Sequence, residues 1–162
     1  MRITLLHGED AAEDPVIGQI TGSLESVGHE TAVIAVERDV PRLAESLRSR
    51  APELVFNLAE SFAGVSALEA SIAGLLNLLG LRYTGSSPSG LALAGDKSLS
   101  KKVLAFHGIR TPESATLYRG ALDWADDLEF PLIVKPPQED ASMGITTASV
   151  VRDVRELLET LG

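Results

Sequence analysis

Lys135 is the residue around which a chemical reading of this chain forms. It follows the apolar run Pro131-Leu132-Ile133-Val134, and the segment Pro136-Pro137-Gln138-Glu139-Asp140-Ala141-Ser142-Met143-Gly144 comes after it. An apolar strand that ends on lysine holds a positive charge at a sheet edge. In the loop beyond, Ser142 and Gly144 let backbone N–H groups approach an anion, and Gly144 lacks the Cβ that would obstruct them. A point charge beside an amide cradle is what phosphate recognition requires. Lys97, in Asp96-Lys97-Ser98-Leu99-Ser100-Lys101, is a second candidate cation. A triphosphate held between two lobes calls for positive charge from both sides. The plainer alternative makes Lys135 the end of a buried strand and Lys97 a solvated helix residue.

Carboxylates supply the complementary chemistry. Glu13 and Asp14 follow the first apolar run and could hold a substrate ammonium, or could simply favour the dipole of a helix start. Glu60, in Phe56-Asn57-Leu58-Ala59-Glu60-Ser61, follows a third apolar run. Glu69 falls within a helical stretch, on its solvent side. The histidines at 7, 29 and 107 have no metal-ligand spacing. His7 is the best placed of them because it closes the first strand. No nucleophile elbow and no Walker sequence is present.

The elements that must position these groups alternate. Residues 3–6 predict a buried first strand ending at His7-Gly8. Asp14-Pro15 predicts a capped helix on Val16, Ile20, Leu24 and Val27, stopped by Gly28. Strands follow at 31–36 and 53–57, with a helix over 41–50 between them. This order implies a parallel sheet with right-handed crossovers, whose ligands sit beyond the carboxyl ends of the strands. A helix over 66–79 carries apolar Leu68, Ile72, Leu75, Leu76 and Leu79. A short strand at 81–84 and a turn-rich break at 85–90 lead to a helix capped by Asp96. Beyond it the pattern predicts a strand at 115–118, a short acidic helix holding Trp124, the strand before Lys135, a strand at 146–151 and a last helix at 153–161.

The bulk properties exclude several classes. With 162 residues, 44% hydrophobic, the chain can bury one sizeable core or one domain plus a smaller lobe. A formal charge of −9 makes nucleic acid and anionic membranes poor partners. The absence of cysteine removes disulfides, thiolate metal sites and cysteine nucleophiles. Aromatic residues make up 4%, too few for a base-stacking platform. Neither a signal peptide nor a membrane-spanning run is predicted, so the expected location is the cytoplasm.

Taken together, Leu54-Val55-Phe56-Asn57-Leu58-Ala59-Glu60, Tyr83-Thr84-Gly85-Ser86, Asp96-Lys97 and the segment from Pro131 to Gly144 resemble, in order and spacing, the D-alanine–D-alanine ligases. More broadly they resemble the ATP-grasp carboxylate–amine ligases. The resemblance implies an α/β fold: an open parallel, Rossmann-like substrate domain over residues 1–94, then a small α+β first subdomain of an incomplete ATP-grasp unit over 95–162. It implies that Lys97, Lys135, Glu139, Ser142, Met143 and Gly144 bind ATP, and that Glu13 and Glu60 bind an amino-acid or peptide substrate. ATP is the implied cofactor. Magnesium is implied too, but in the family its acidic ligands, like the adenine-gripping hinge, follow the position of Gly162. The chain is therefore expected to be catalytically incomplete alone, and to cover exposed apolar surface by forming a homo-oligomer.

The sequence departs from the family pattern in two places. Ala59 and Glu60 stand where the family has a histidine after the third strand. Asp140 and Ala141 stand where glycine and a hydroxyl residue are usual. Both point to a ligase for an amino acid or peptide other than D-alanine. A competing reading is a non-catalytic α/β interaction module derived from such a ligase. A third, a free-standing flavodoxin-like domain, predicts one sheet containing every strand.

Overall fold

A computed structural model describes residues 1–9, 14–118, 121–123, 128–138 and 144–161. The chain divides into two compact units, Met1–Ala92 and Leu93–Gly162.

In the first unit β1 (Arg2–Gly8) lies between β2 (Glu30–Val36) and β3 (Leu54–Leu58), parallel to both. Residues 3–8 of β1 are buried without interruption. A central parallel strand is covered on both faces, so it reads as a continuous apolar run instead of an alternating one. A further extended segment continues the sheet beyond β3: the Val55 N–H donates to the Arg82 carbonyl at 2.8 Å, and the Thr84 N–H to the Val55 carbonyl at 3.0 Å. The predicted strand at 81–84 is thus a single bridge centred on Tyr83.

The connecting helices are α1 (Pro15–Ser26), α2 (Val40–Arg50) and α3 (Glu69–Leu78). Asp14 caps α1 by accepting from the Val16 N–H at 2.8 Å, with Pro15 pre-set for the first turn. Asp39 caps α2 by accepting from the Arg42 N–H at 2.9 Å. Leu6 of β1 packs with Leu43 and Leu47 of α2 and Ile72 and Leu76 of α3, in the core of this unit. The side-chain alternation of a strand turns Leu5 and His7 to the opposite face. The helix predicted over 66–79 is split: Ser66–Leu68 is a 3-10 turn and only Glu69–Leu78 is α-helical.

Helix α2 ends at Ala51 in the left-handed conformation, φ 44° and ψ 56°. That conformation costs a non-glycine residue about 1–2 kcal/mol, while glycine loses about 0.5–1 kcal/mol more backbone entropy on folding. Ala51→Gly is therefore expected to raise stability by about 0.5–1 kcal/mol, seen as a higher urea midpoint with unchanged slope.

The turn-rich break predicted at 85–90 instead leads directly into a helix, α4 (Pro88–Gly95). In the second unit, α5 (Lys97–Phe106) precedes an antiparallel hairpin of β4 (Thr116–Tyr118) and β5 (Ala121–Asp123). β5 occurs where no strand was predicted, and Trp124 lies outside the described residues. β6 (Leu132–Ile133) pairs antiparallel with β7 (Val150–Val151), and α6 (Val154–Leu161) follows. Both strands are shorter than the sequence predicts. The pairing continues one bond further, from the Val134 N–H to the Ser149 carbonyl at 2.8 Å. Residues 147–149 then turn as a 3-10 segment, because Thr146 and Ser149 close a reciprocal capping box. The described strands fall into three separate sheets, which excludes the flavodoxin-like arrangement.

Candidate functional site

The lysine site lies in the second unit. Lys135 comes two residues after β6, and its side chain is exposed. Lys97 opens α5, directly after the cap Asp96. The two segments are stitched by main chain: the Lys97 N–H donates to the Pro137 carbonyl at 3.1 Å. Gln138 reinforces the stitch, its Nε2 lying 3.5 Å from Asp96 Oδ2. The far end of the loop returns to the same place. Gly144 has φ +73°, and a Cβ there would sit 3.0 Å from Pro136 Cγ. The left-handed backbone favours glycine at 144, and the close approach to Pro136 adds to that preference. Lys97, Lys135 and Gly144 are thus gathered around Pro136 and Pro137. Glu139, Ser142 and Met143, the rest of the predicted loop, lie outside the described residues.

The start of α5 cannot itself serve as an anion site. Its first amides are committed within the protein: Lys97 to Pro137, Leu99 to Asp96 Oδ1 at 2.9 Å, and Ser100 to the Asp96 carbonyl at 2.9 Å. These amides at the start of α5 are therefore not free to hold an anion. The Lys101 ammonium is already used, donating to the Pro112 carbonyl at 2.8 Å.

The Asp96 carboxyl is held below its ordinary range, chiefly by the Leu99 N–H, with further help from Gln138, Ser98 and the Lys102 charge against a smaller cost of burial. A lowered native pKa contributes stability that is present above the unfolded value, about 3.9 for aspartate. That contribution is lost as pH falls through the lower native value. Asparagine caps as well as aspartate but does not titrate. Asp96→Asn is accordingly expected to leave stability at neutral pH within about 0.5 kcal/mol and to flatten the acid limb, whereas Asp96→Ala costs about 1 kcal/mol at neutral pH. Urea unfolding from pH 7 down to pH about 3 separates the two variants.

The first unit offers the carboxyl edge of its parallel sheet, the place where such sheets bind ligands. Glu60 is exposed there, on a loop held at several points. Ala59 is buried in the core cluster, the Asn57 side chain accepts from the Ala59 N–H at 3.3 Å, and the Asn57 N–H donates to Thr84 Oγ1 at 3.0 Å. Beyond Glu60 the chain reverses tightly: Phe62 and Val65 exchange backbone hydrogen bonds across Ala63, φ 56°, and Gly64, φ 76°. Glu60 therefore projects from a hydrogen-bonded, partly buried base. Glu13 lies outside the described residues. An open depression of about 580 Å³ at the same edge is lined by Glu9, Glu37, Arg38 and Asp39. Sequence reasoning missed the turn at 62–65; its trace is the Ala63-Gly64 pair between apolar residues. Among the described residues no three His, Asp or Glu side chains cluster as a metal site would require.

No family model matches the chain. The D-alanine–D-alanine ligase of Sphingopyxis alaskensis is 36% identical over 152 residues, 93% of this chain and 43% of the relative. That of Syntrophotalea carbinolica is 36% identical over 160 residues, 96% of this chain and 50% of the relative. The chain is a homologue of the D-alanine–D-alanine ligases. The crystal structure of the Bacillus anthracis D-alanine–D-alanine ligase complexed with ATP is similar over 99% of this chain and 53% of that one, with TM-score 0.70 and 25% identity. The chain spans about half the length of the curated relatives it matches. The ligase-like fold is that of the open parallel sheet and the partial ATP-grasp lobe, and no described helix is long and apolar enough to cross a membrane.

Proposed function

We propose that this chain supplies the substrate domain, residues 1–94, and the first ATP-grasp subdomain, residues 95–162, of a cytoplasmic ATP-dependent carboxylate–amine ligase. The observation that carries the reading is the hydrogen bond from the Lys97 N–H to the Pro137 carbonyl, which brings two separate lysine-bearing segments to one place. In the reaction, a substrate carboxylate attacks the γ-phosphorus of ATP and ADP leaves. The amine of a second amino acid or peptide attacks the resulting acyl phosphate at carbon, the C–O bond breaks and inorganic phosphate departs. Lys97 and Lys135 neutralise phosphate oxygens as ADP leaves, and Glu139, Ser142, Met143 and Gly144 complete the ATP-binding set. Glu60 and Glu13 hold a substrate ammonium at the carboxyl edge of the first sheet. Ala59 and Glu60 in place of the family's histidine favour an amino-acid or peptide substrate other than D-alanine.

Calorimetric titration with ATP tests the phosphate assignment. One charged hydrogen bond contributes about 1.5–3 kcal/mol, so Lys135→Ala is expected to weaken ATP binding about 10- to 100-fold. Unchanged affinity in that variant would remove the ligase reading and favour the non-catalytic interaction module. We further propose that the chain self-associates through apolar side chains of its second unit.

A further inference from the structure

We propose that Thr84 is a positioning residue for substrate binding: its hydroxyl, acting through Asn57, sets the loop that presents Glu60; this rests on Glu60 being a substrate-binding residue. Tyr83 pairs in parallel with Val55. The bonds run from the Val55 N–H to the Arg82 carbonyl and from the Thr84 N–H to the Val55 carbonyl. Bonds of a parallel ladder are evenly spaced, so the next would run from the Asn57 N–H to the Thr84 carbonyl. The Asn57 N–H donates instead to Thr84 Oγ1, at 3.0 Å. Gly85, with φ 103°, turns the chain out of the extended conformation directly afterwards. The hydroxyl thus takes the place that a backbone carbonyl would fill if the strand continued.

Asn57 repeats the device one step further on. Its side-chain oxygen accepts from the Ala59 N–H at 3.3 Å, a turn that takes the chain out of β3. Ala59 is 2% exposed, and Glu60, next in the chain, is exposed at the carboxyl edge of the sheet. Two side chains therefore set where the strand stops and where Glu60 begins. A carbonyl acceptor would be indifferent to the residue type at 84, whereas a side-chain acceptor is not. Valine has nearly the shape of threonine but leaves the Asn57 N–H unmatched in a partly buried place. Serine keeps the acceptor. The residue type at 84 thereby reaches Glu60 through Asn57.

In the ¹⁵N-labelled chain, D-alanine, L-alanine and glycylglycine serve as probes, and the Glu60 amide reads their binding. At least one probe is expected to shift that amide saturably in the wild type. Thr84→Val is expected to weaken this binding about tenfold, and Thr84→Ser to keep it within about twofold of wild type. A threonine with a merely structural role would lower the urea midpoint without that split in affinity. Asn57→Ala is expected to weaken binding as Thr84→Val does, and the double variant to bind no more weakly than Asn57→Ala alone, because both break one relay. If Thr84→Val does not fold, Asn57→Ala is set against Asn57→Ser, whose hydroxyl can still accept from Ala59; equal affinities in that pair overturn the proposal. Wild-type affinity in folded Thr84→Val, or additive losses in the double variant, overturn it while the reading of Glu60 stands. A Glu60 amide that no probe shifts in the wild type overturns both.

Discussion

Leu76→Ala is expected to lower the unfolding free energy of the first unit by about 3–5 kcal/mol, and Leu78→Ala, on the same helix, by less than about 0.5 kcal/mol. Leu76 is fully buried, packed in the cluster with Leu6, Leu47 and Val55. Truncating it removes transfer energy and leaves a cavity that the sheet and α2, held by their own hydrogen bonds, only partly fill. Leu78 is 87% exposed, so the same chemical change removes almost no buried area. A domain of this size has about 5–15 kcal/mol of stability in all. The first variant is therefore near its folding limit and the second is indistinguishable from wild type. Urea denaturation followed by far-ultraviolet circular dichroism reads both. Equal losses would mean that α3 does not dock on the sheet by the face bearing Ile72 and Leu76.

That contrast marks what the sequence carries. The helical period singles out Ile72 and Leu76 and passes over Leu78, because facing the core depends on spacing more than on residue type. It misplaces Leu68, which is 37% exposed, because Ser66–Leu68 winds as a 3-10 turn with a different period. Caps at Asp14 and Asp96 are legible because they are local: a side chain bonds an amide two or three residues on. The carboxyl edge with Glu60 is legible from the order of element types alone, since parallel topology fixes where ligands enter. The link between Lys97 and Pro137 is of another kind. It joins residues 40 positions apart through backbone atoms, which no side-chain pattern records. β6 and β7 lose length because a capping box at 146–149 takes the chain out of the sheet. Hydroxyl residues there carry the signal, yet the same residues also suit a strand.

Leu158→Glu is expected to weaken self-association of the chain by two to four orders of magnitude. The two units differ sharply in how they bury apolar residues. Among the described residues, every buried hydrophobic one except Val151 belongs to the first unit. The second leaves Leu99, Phe106, Ile109, Ile133, Leu158 and others exposed, with Phe106 at 86%. On α6, Val154, Leu158 and Leu161 are all exposed at helical spacing, forming one apolar stripe flanked by the ion pair of Arg155 with Glu159 at 3.0 Å. Covering such a stripe is favourable at about 1.5–3 kcal/mol per leucine buried. In a two-fold dimer each residue occurs twice, so one substitution acts at both copies, about 3–6 kcal/mol in all. A buried glutamate adds the cost of desolvating its charge, which drives the change toward the upper end. Sedimentation equilibrium across a range of concentrations should show wild-type mass rising above 17.1 kDa while the variant stays at the monomer value. The exposed Val16, on α1 of the first unit, is the control: Val16→Glu should leave association unchanged. If wild type remains monomeric throughout, or if the two variants behave alike, α6 is not the associating face.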